Sequence, residues 1–321
     1  MHPQLRAWAQ LVRVPNTLTA CADVLAGFTL AAGAWWQING IVPSIVVAAM
    51  ASICLYWAGM VLNDVHDLAE DIAQRRNGPL VRGLIAVGTA RKTGWALLLT
   101  GVALAGLSAY LLPAIGNAAP YWIVAGTATA LAVVIVAYDS WLKATPLGPL
   151  LMGTCRGLNL LVGVSLGACV DWHVDLDWSS IVSATVGLWF FVTGITFAAR
   201  REGLMEQSSY RLTWSWAVSA LGVFAIALSS VGSMDRPLRL DPKTWFPILV
   251  AMLAVPWLRR AFTSIHSPGV GTLVPAIKQA ILSIIFLDAA IALQFGGYWP
   301  GIIVCSLSIP TFALSRIFRV T

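Results

Sequence analysis

Charge is what this chain of 321 residues has least of. Only 11% of its residues are Asp, Glu, Lys or Arg, against about 25% in an ordinary soluble chain. A water-soluble globule is therefore improbable, and disorder is excluded because 58% of the residues are hydrophobic. Cysteine is no better placed to build a scaffold. Cys21, Cys54, Cys155, Cys169 and Cys305 are odd in number, dispersed and without a CxxC pair, so they read as small apolar packing residues. The four histidines are isolated, with no HExxH spacing and so no zinc signature. Acid is scarcest of all, yet four of the 14 Asp and Glu residues fall between Asp64 and Asp71.

Apolar runs fill the rest. A helix needs about 20 apolar residues to cross the hydrocarbon layer, and such runs occur at 17–36, 41–62, 93–112, 119–137, 147–170, 181–199, 212–231, 245–258 and 280–297, the eighth being short and ending near Pro256. These nine predict an all-α, polytopic membrane helix bundle. A possible tenth segment, 298–315, is interrupted by Pro300 and Pro310. The first run is too long and uninterrupted for a signal-peptide core and is expected to be retained. One transmembrane domain over 1–321 is predicted, with a polar loop at 63–92 long enough to be functional.

The bases fix an orientation, because short cytoplasmic loops accumulate Lys and Arg. A cytoplasmic N-terminus, with Arg6 and Arg13, puts Arg75, Arg76, Arg82, Arg91, Lys92, Lys143, Arg200, Arg201, Arg211, Arg259, Arg260 and Lys278 on the same side. Arg316 and Arg319 join them if the last segment spans, and only Arg236, Arg239 and Lys243 fall outside. The net charge of +6 is then a topology signal. Bases spread over loops do not form a nucleic-acid footprint, and no nucleic acid is expected as a partner. Trp35, Trp36, Trp141, Trp178 and Trp245, near span ends, fit an interfacial belt.

The acidic cluster follows the second run directly. On a continuous helix Asp64, Asp67 and Asp71, at i, i+3 and i+7, share one face. Like charges so placed destabilise a helix by roughly 0.2–0.5 kcal/mol per pair, a cost that a bound cation removes. Hard oxygen ligands suit magnesium, which takes one or two carboxylates together with substrate phosphate oxygens. Arg75, Arg76 and Arg82 follow in the loop and are able to hold phosphate. The competing reading is a solvated helix end with Asp71 paired to Arg75.

These residues carry a resemblance. Asn63, Asp64, Asp67 and Asp71 match the NDxxDxxxD motif of the UbiA superfamily of intramembrane prenyltransferases, in its position between the second and third spans. The likeness covers nearly the whole chain: Arg13, Val14, Pro15 and Asn16 leading into the first span, residues 79–83 after the motif, and Tyr138 to Lys143 after the fourth span. It implies magnesium-assisted ionisation of an isoprenyl diphosphate and transfer of the allylic group to a hydrophobic acceptor, often aromatic. By that resemblance Asn63, Asp64, Asp67 and Asp71 hold magnesium and diphosphate, and Lys143 contacts diphosphate oxygens. The second Asp-rich motif of the family is missing: the loop at 199–211 carries Arg200, Arg201, Glu202 and Glu206 and no aspartate. Glu202 and Glu206 are a partial substitute as metal ligands, or Arg200 and Arg201 neutralise diphosphate directly. Gly78 stands where the family commonly has arginine. The pattern is similar to the divergent, EboC-like branch, and the alternative it leaves open is a transporter or lipid-binding protein that has lost prenyl transfer.

Three charges lie inside runs, where an ionisable group costs a few kcal/mol unless paired or wetted. Arg156 is expected either to line a cavity with Lys143 and Asp139 or to pair with a bundle carboxylate. Asp23 is a candidate to orient an acceptor or to serve as a structural pair, and Asp288 to serve as a structural partner or to face a pore. Asn16, Asp139 and Asn159 are candidate polar contacts or helix cross-links.

Overall fold

A computed structural model describes residues 2–113, 121–170, 176–200, 209–233 and 238–318. These residues are helical with no strand among them: α1 (Pro3–Leu11), α2 (Val14–Ala32), α3 (Val42–His66), α4 (Leu68–Ala73), α5 (Val87–Tyr110), α6 (Trp122–Ala137), α7 (Gly148–Ala168), α8 (Trp178–Ala199), α9 (Ser209–Leu228), α10 (Trp245–His266), α11 (Val270–Gly296), α12 (Tyr298–Ser306) and α13 (Ser308–Ile317). Nine stretches among them are long and apolar enough to cross a membrane, so the protein is an integral, multi-pass helical bundle.

They are not the same nine that the apolar runs predict. The last segment qualifies, as α12 and α13 end to end over Tyr298–Ile317, whereas α2 does not. Asn16, Thr17, Thr19 and Asp23 dilute its apolarity, and it survives in the bundle because fifteen of its nineteen residues are buried against protein. Two other helices exceed their predicted lengths. α10 continues through Pro256 to His266, and α11 begins at Val270 and runs through Pro275. Neighbouring helices and local adjustment absorb the backbone groups that proline frees in membrane helices. The polar interval 63–92 is also largely helical, contributing the end of α3, α4 and the start of α5.

Small residues set the closest helix contacts. In hydrocarbon there is no hydrophobic force to join helices, so backbones approach through glycine to gain dispersion contacts. A Cβ on Gly27 of α2 would strike the Leu160 carbonyl of α7, and one on Gly163 the Val24 carbonyl of α2. Gly187 and Gly222 make the equivalent contact between α8 and α9, where a Cβ on Gly187 would lie 2.8 Å from the Gly222 oxygen. Large apolar side chains such as Leu99, Val133 and Met252 remain on the outside, facing the lipid.

Trp36, Trp141, Trp178 and Trp245 are exposed as an interfacial belt requires. Trp35 is the exception: it is buried, donates its indole N–H to Thr29 Oγ1 at 2.9 Å, and packs edge-on against Phe28. At the start of α8 Asp177 caps the helix, accepting from the Ser180 amide at 3.2 Å and from the hydroxyls of Ser179, Ser180 and Ser233. Partial burial opposes ionisation, but the hydrogen bonds outweigh it and lower the Asp177 carboxyl to about 2.

Gly163→Leu is expected to lower stability by at least about 2 kcal/mol through backbone overpacking, read as earlier thermal unfolding in detergent. Gly126→Ala, with open space around its Cβ, is expected to change little. Because the Asp177 carboxyl is lowered, the stability it contributes is complete above the usual carboxylate range and fades as pH falls through about 2. Asp177→Ala should therefore cost about 1 kcal/mol at pH 7, and a deficit that persists in strong acid would contradict the assignment.

Candidate active site

The acidic segment sits where α3 stops. Asp67 ends α3 and precedes α4, with backbone angles of −78° and −7°, so the predicted single carboxylate face is broken at its middle residue. Each acid has instead found its own cation. Asp64 faces Arg13 at 3.8 Å, Asp67 pairs with Lys143, and Asp71 pairs with Arg76 at 3.0 Å. Arg75, the expected partner of Asp71, adopts a left-handed conformation (φ 54°) that turns the chain, and the next amide, that of Arg76, bonds to the Asp71 carbonyl at 2.9 Å. Asn63, Asp64, Asp67 and Asp71 are consequently not drawn around one point, and no group of three acids, histidines or cysteines among the described residues is placed to hold a metal.

The centre of the site is narrower than that set. Asn63, buried in the last turn of α3, donates its amide to Asp67 Oδ2 at 3.1 Å, while its Oδ1 accepts from Lys143 Nζ at 2.7 Å. The Lys143 ammonium thus lies between two hard oxygens, a position that suits a small cation. Lys143 reaches it because residues Tyr138–Leu142 form a π-helical turn, closed by the Lys143 amide on the Tyr138 carbonyl at 3.0 Å. Such turns are frequent at functional sites. The same turn buries Asp139 with its Oδ2 lacking a hydrogen-bond donor. Arg13, between α1 and α2, also has a left-handed backbone (φ 51°), a strained state that surrounding contacts must hold.

Adjoining this mouth through Arg13 and Asp139 lies a cavity of about 290 Å³, which Asn63, Asp64, Asp67, Asp71 and Lys143 do not line. Leu55, Leu131, Ile135, Ile195, Ile277 and Ile284 give it apolar walls, and Arg13, Asn16 and Asp139 stand on its lining with Tyr138. Arg156, Tyr56, Ser52 and Asn159 add a polar patch. Arg156 lines the cavity with Asp139, though Lys143 does not, and it also pairs with Asp23 at 2.8 Å. Asp23, a candidate to orient an acceptor, is fully buried, is not part of the lining, and takes its contacts from Arg156 and from Asn159 at 3.0 Å. Asp288 is buried beside it and does not face a pore.

Other predicted residues lie outside this centre. Arg76 is exposed on Asp71, and exposed Arg82 donates to Gln10 of α1 at 3.2 Å; neither lines the cavity. The Arg200 guanidinium packs against Gly148 at the start of α7. Arg201, Glu202 and Glu206 fall outside the described residues. Tyr56 and Ser52 carried no sequence signal, being single polar residues in an apolar helix, and the π turn has no signature to find.

The described residues thus set an acid–base mouth beside a mostly apolar cavity inside a membrane bundle. Residues 24–203, more than half of the chain, match the model of the UbiA prenyltransferase family, and the protein belongs to that family. It is 29% identical over 160 residues to the digeranylgeranylglyceryl phosphate synthase of Saccharolobus solfataricus, covering 50% of this chain and 51% of that one. The enzyme of the same name from Hyperthermus butylicus is 26% identical over 168 residues, 52% of each chain. The chain thus spans about half the length of the curated relatives it matches. Its fold is similar to a UbiA homologue of Archaeoglobus fulgidus bound to GPP and Mg2+ (TM-score 0.61, 15% identity, 94% of this chain and 99% of that one). It is also similar to the apo UbiA homologue of Aeropyrum pernix K1 (TM-score 0.63, 16% identity, 86% and 96%).

If Asp67 and Lys143 form the central pair, their effects on stability are not additive. A double-mutant cycle with Asp67→Asn and Lys143→Met is expected to give a coupling of about 0.5–1 kcal/mol, modest because both side chains are partly exposed. Additive losses would separate the two residues.

Proposed function

We propose that this protein transfers an isoprenyl group from an isoprenyl diphosphate to a hydrophobic, aromatic or lipid-like acceptor inside the membrane. The observation that carries the proposal is the Lys143 ammonium held between Asn63 and Asp67, in a cluster that adjoins an apolar cavity through Arg13, the partner of Asp64, and Asp139. Relatives named as prenylglyceryl phosphate synthases and a structural neighbour bound to GPP and Mg2+ support it.

The donor set suits magnesium: carboxylates of Asp64 and Asp67 and the amide oxygen of Asn63 are hard ligands, and Lys143 already marks a cation position among them. Asn63, Asp64 and Asp67, with Asp71 at the margin, would hold the ion, which supplies Lewis-acid neutralisation of the diphosphate. Lys143 and Arg13 then exchange their carboxylate partners for diphosphate oxygens, donating hydrogen bonds where negative charge grows. In sequence, Arg200, Arg201, Glu202 and Glu206 occupy the loop where the family carries its second acidic motif, the arginines as candidates to neutralise diphosphate and the glutamates as candidate metal ligands. The allylic carbon–oxygen bond breaks with its electron pair on the diphosphate; the acceptor forms a bond to that carbon and releases a proton. The isoleucine and leucine walls hold the isoprenyl tail and keep water from the cation. The bias of Lys and Arg puts the N-terminus and this mouth on the cytoplasmic side.

Purified protein given magnesium and geranyl diphosphate, with a panel of acceptors, is expected to release diphosphate, and chelation of the metal should stop it. Asp64→Ala and Asp67→Ala should each lower turnover by about a hundredfold or more with the folded yield kept. Unchanged turnover in either variant would sink the ligand assignment.

A further inference from the structure

The polar patch on the lining of the cavity bears on the acceptor, and the inference drawn from it rests on the prenyl-transfer reading above. Arg156 lies eight residues beyond Gly148 at the start of α7, which at 1.5 Å per residue puts it about 12 Å in from that end. It shares the cavity lining with Arg13 and Asp139 of the mouth.

The guanidinium is already charge-compensated. Nη1 donates to Asp23 Oδ2 at 2.8 Å and Nη2 to Thr19 Oγ1 at 2.6 Å. Asp23 is fully buried and is fixed a second time by Asn159, which is itself held by the Ser52 hydroxyl at 2.8 Å. Asp288 is buried near Asp23, and neither of its carboxyl oxygens has a hydrogen-bond partner among the described residues. The partners of Arg156 differ from those at the mouth, where Asp64 and Asp67 are partly exposed and free to exchange a base for a metal ion.

An anion brought to Arg156 would face the Asp23 carboxylate that already neutralises it, through low-dielectric protein, and like charges so placed cost several kcal/mol. A neutral oxygen meets no such cost. Guanidinium has five N–H donors; Asp23 and Thr19 occupy two, and the side chain keeps a partly open face on the cavity beside the Tyr56 ring, 5.9 Å from its centroid. We propose that Arg156 anchors the acceptor through an uncharged oxygen, such as a hydroxyl, phenol or carbonyl, and that the Asp23 carboxylate excludes acceptors with an anionic head from this position. Asp23 acts through Arg156 and is a positioning residue.

The test uses matched acceptors with the same apolar body: a monoalkyl glycerol ether against its phosphate monoester, and an alkylphenol against the corresponding alkylbenzoate. Binding is measured by calorimetry on the full chain in lipid nanodiscs, with geranyl diphosphate and magnesium titrated separately. The neutral member of at least one pair should bind about tenfold or more tightly than its anion. Arg156→Gln should remove that binding, Arg156→Lys should restore part of it, and Asp23→Asn should narrow the preference by baring the guanidinium. The wild-type comparison stands even if a variant does not fold. Anions binding as well as or better than their neutral partners, binding of neither member, or neutral binding unaffected in folded Arg156→Gln would overturn the proposal. Failure of the prenyl-transfer reading is distinguishable, since it would appear as loss of magnesium-dependent geranyl diphosphate binding.

Discussion

A charge surrounded by hydrocarbon must be matched by another charge or by hydrogen bonds, and the structure is organised by that requirement. At the centre, Asp23 of α2 and Arg156 of α7 pair through Asp23 Oδ2, with Thr19, Asn159 and Ser52 extending the network. This pairing accounts for the unusual position of α2. A helix with an aspartate and several polar residues is poorly suited to lipid, yet it is well suited to the interior of a bundle where α7 supplies the counter-charge. Gly27 and Gly163 let the two backbones come close enough for the pair to form. The second set of pairs, at the mouth, is looser. Arg13 on Asp64 and Lys143 on Asp67 keep side-chain exposures between 20% and 43%, so they are able to rearrange where the central pair is not.

That contrast divides the site into two functional parts. The exchangeable pairs are where a metal ion and a diphosphate would enter, because each carboxylate released by a base becomes a ligand and each base released becomes a phosphate donor. The locked pair is where an acceptor would be held without a change of charge. Between them the walls are mainly isoleucine and leucine, which suits a tail that must stay dry during ionisation. Membership of the UbiA prenyltransferase family agrees with such a division.

Much of this was legible in the sequence, for physical reasons. A 3.6-residue helix and a fixed hydrocarbon thickness make long apolar runs readable as spans, and the rarity of acid makes Asp64, Asp67 and Asp71 stand out. What escaped was geometry that depends on partners. The break at Asp67 interrupts the helix on which the three acids were to share a face, and i, i+3 and i+7 spacing assumes an unbroken helix. Trp35 was expected at the lipid interface but is turned inward by the hydroxyl of Thr29. The π turn that aims Lys143 at Asp67 has no sequence mark, and the pairing of Asp23 with Arg156 joins residues 133 positions apart. Each of these is decided by tertiary contact, which composition and periodicity do not encode.

The most direct test of the central claim is a density map of the full chain in lipid nanodiscs with geranyl diphosphate and magnesium. The account predicts metal density against Asp64 and Asp67, with Lys143 moved from Asp67 onto a diphosphate oxygen, the isoprenyl chain along the isoleucine wall, and Arg156 still on Asp23. Diphosphate bound elsewhere, or a Lys143–Asp67 pair that remains closed with the ligand in place, would contradict it.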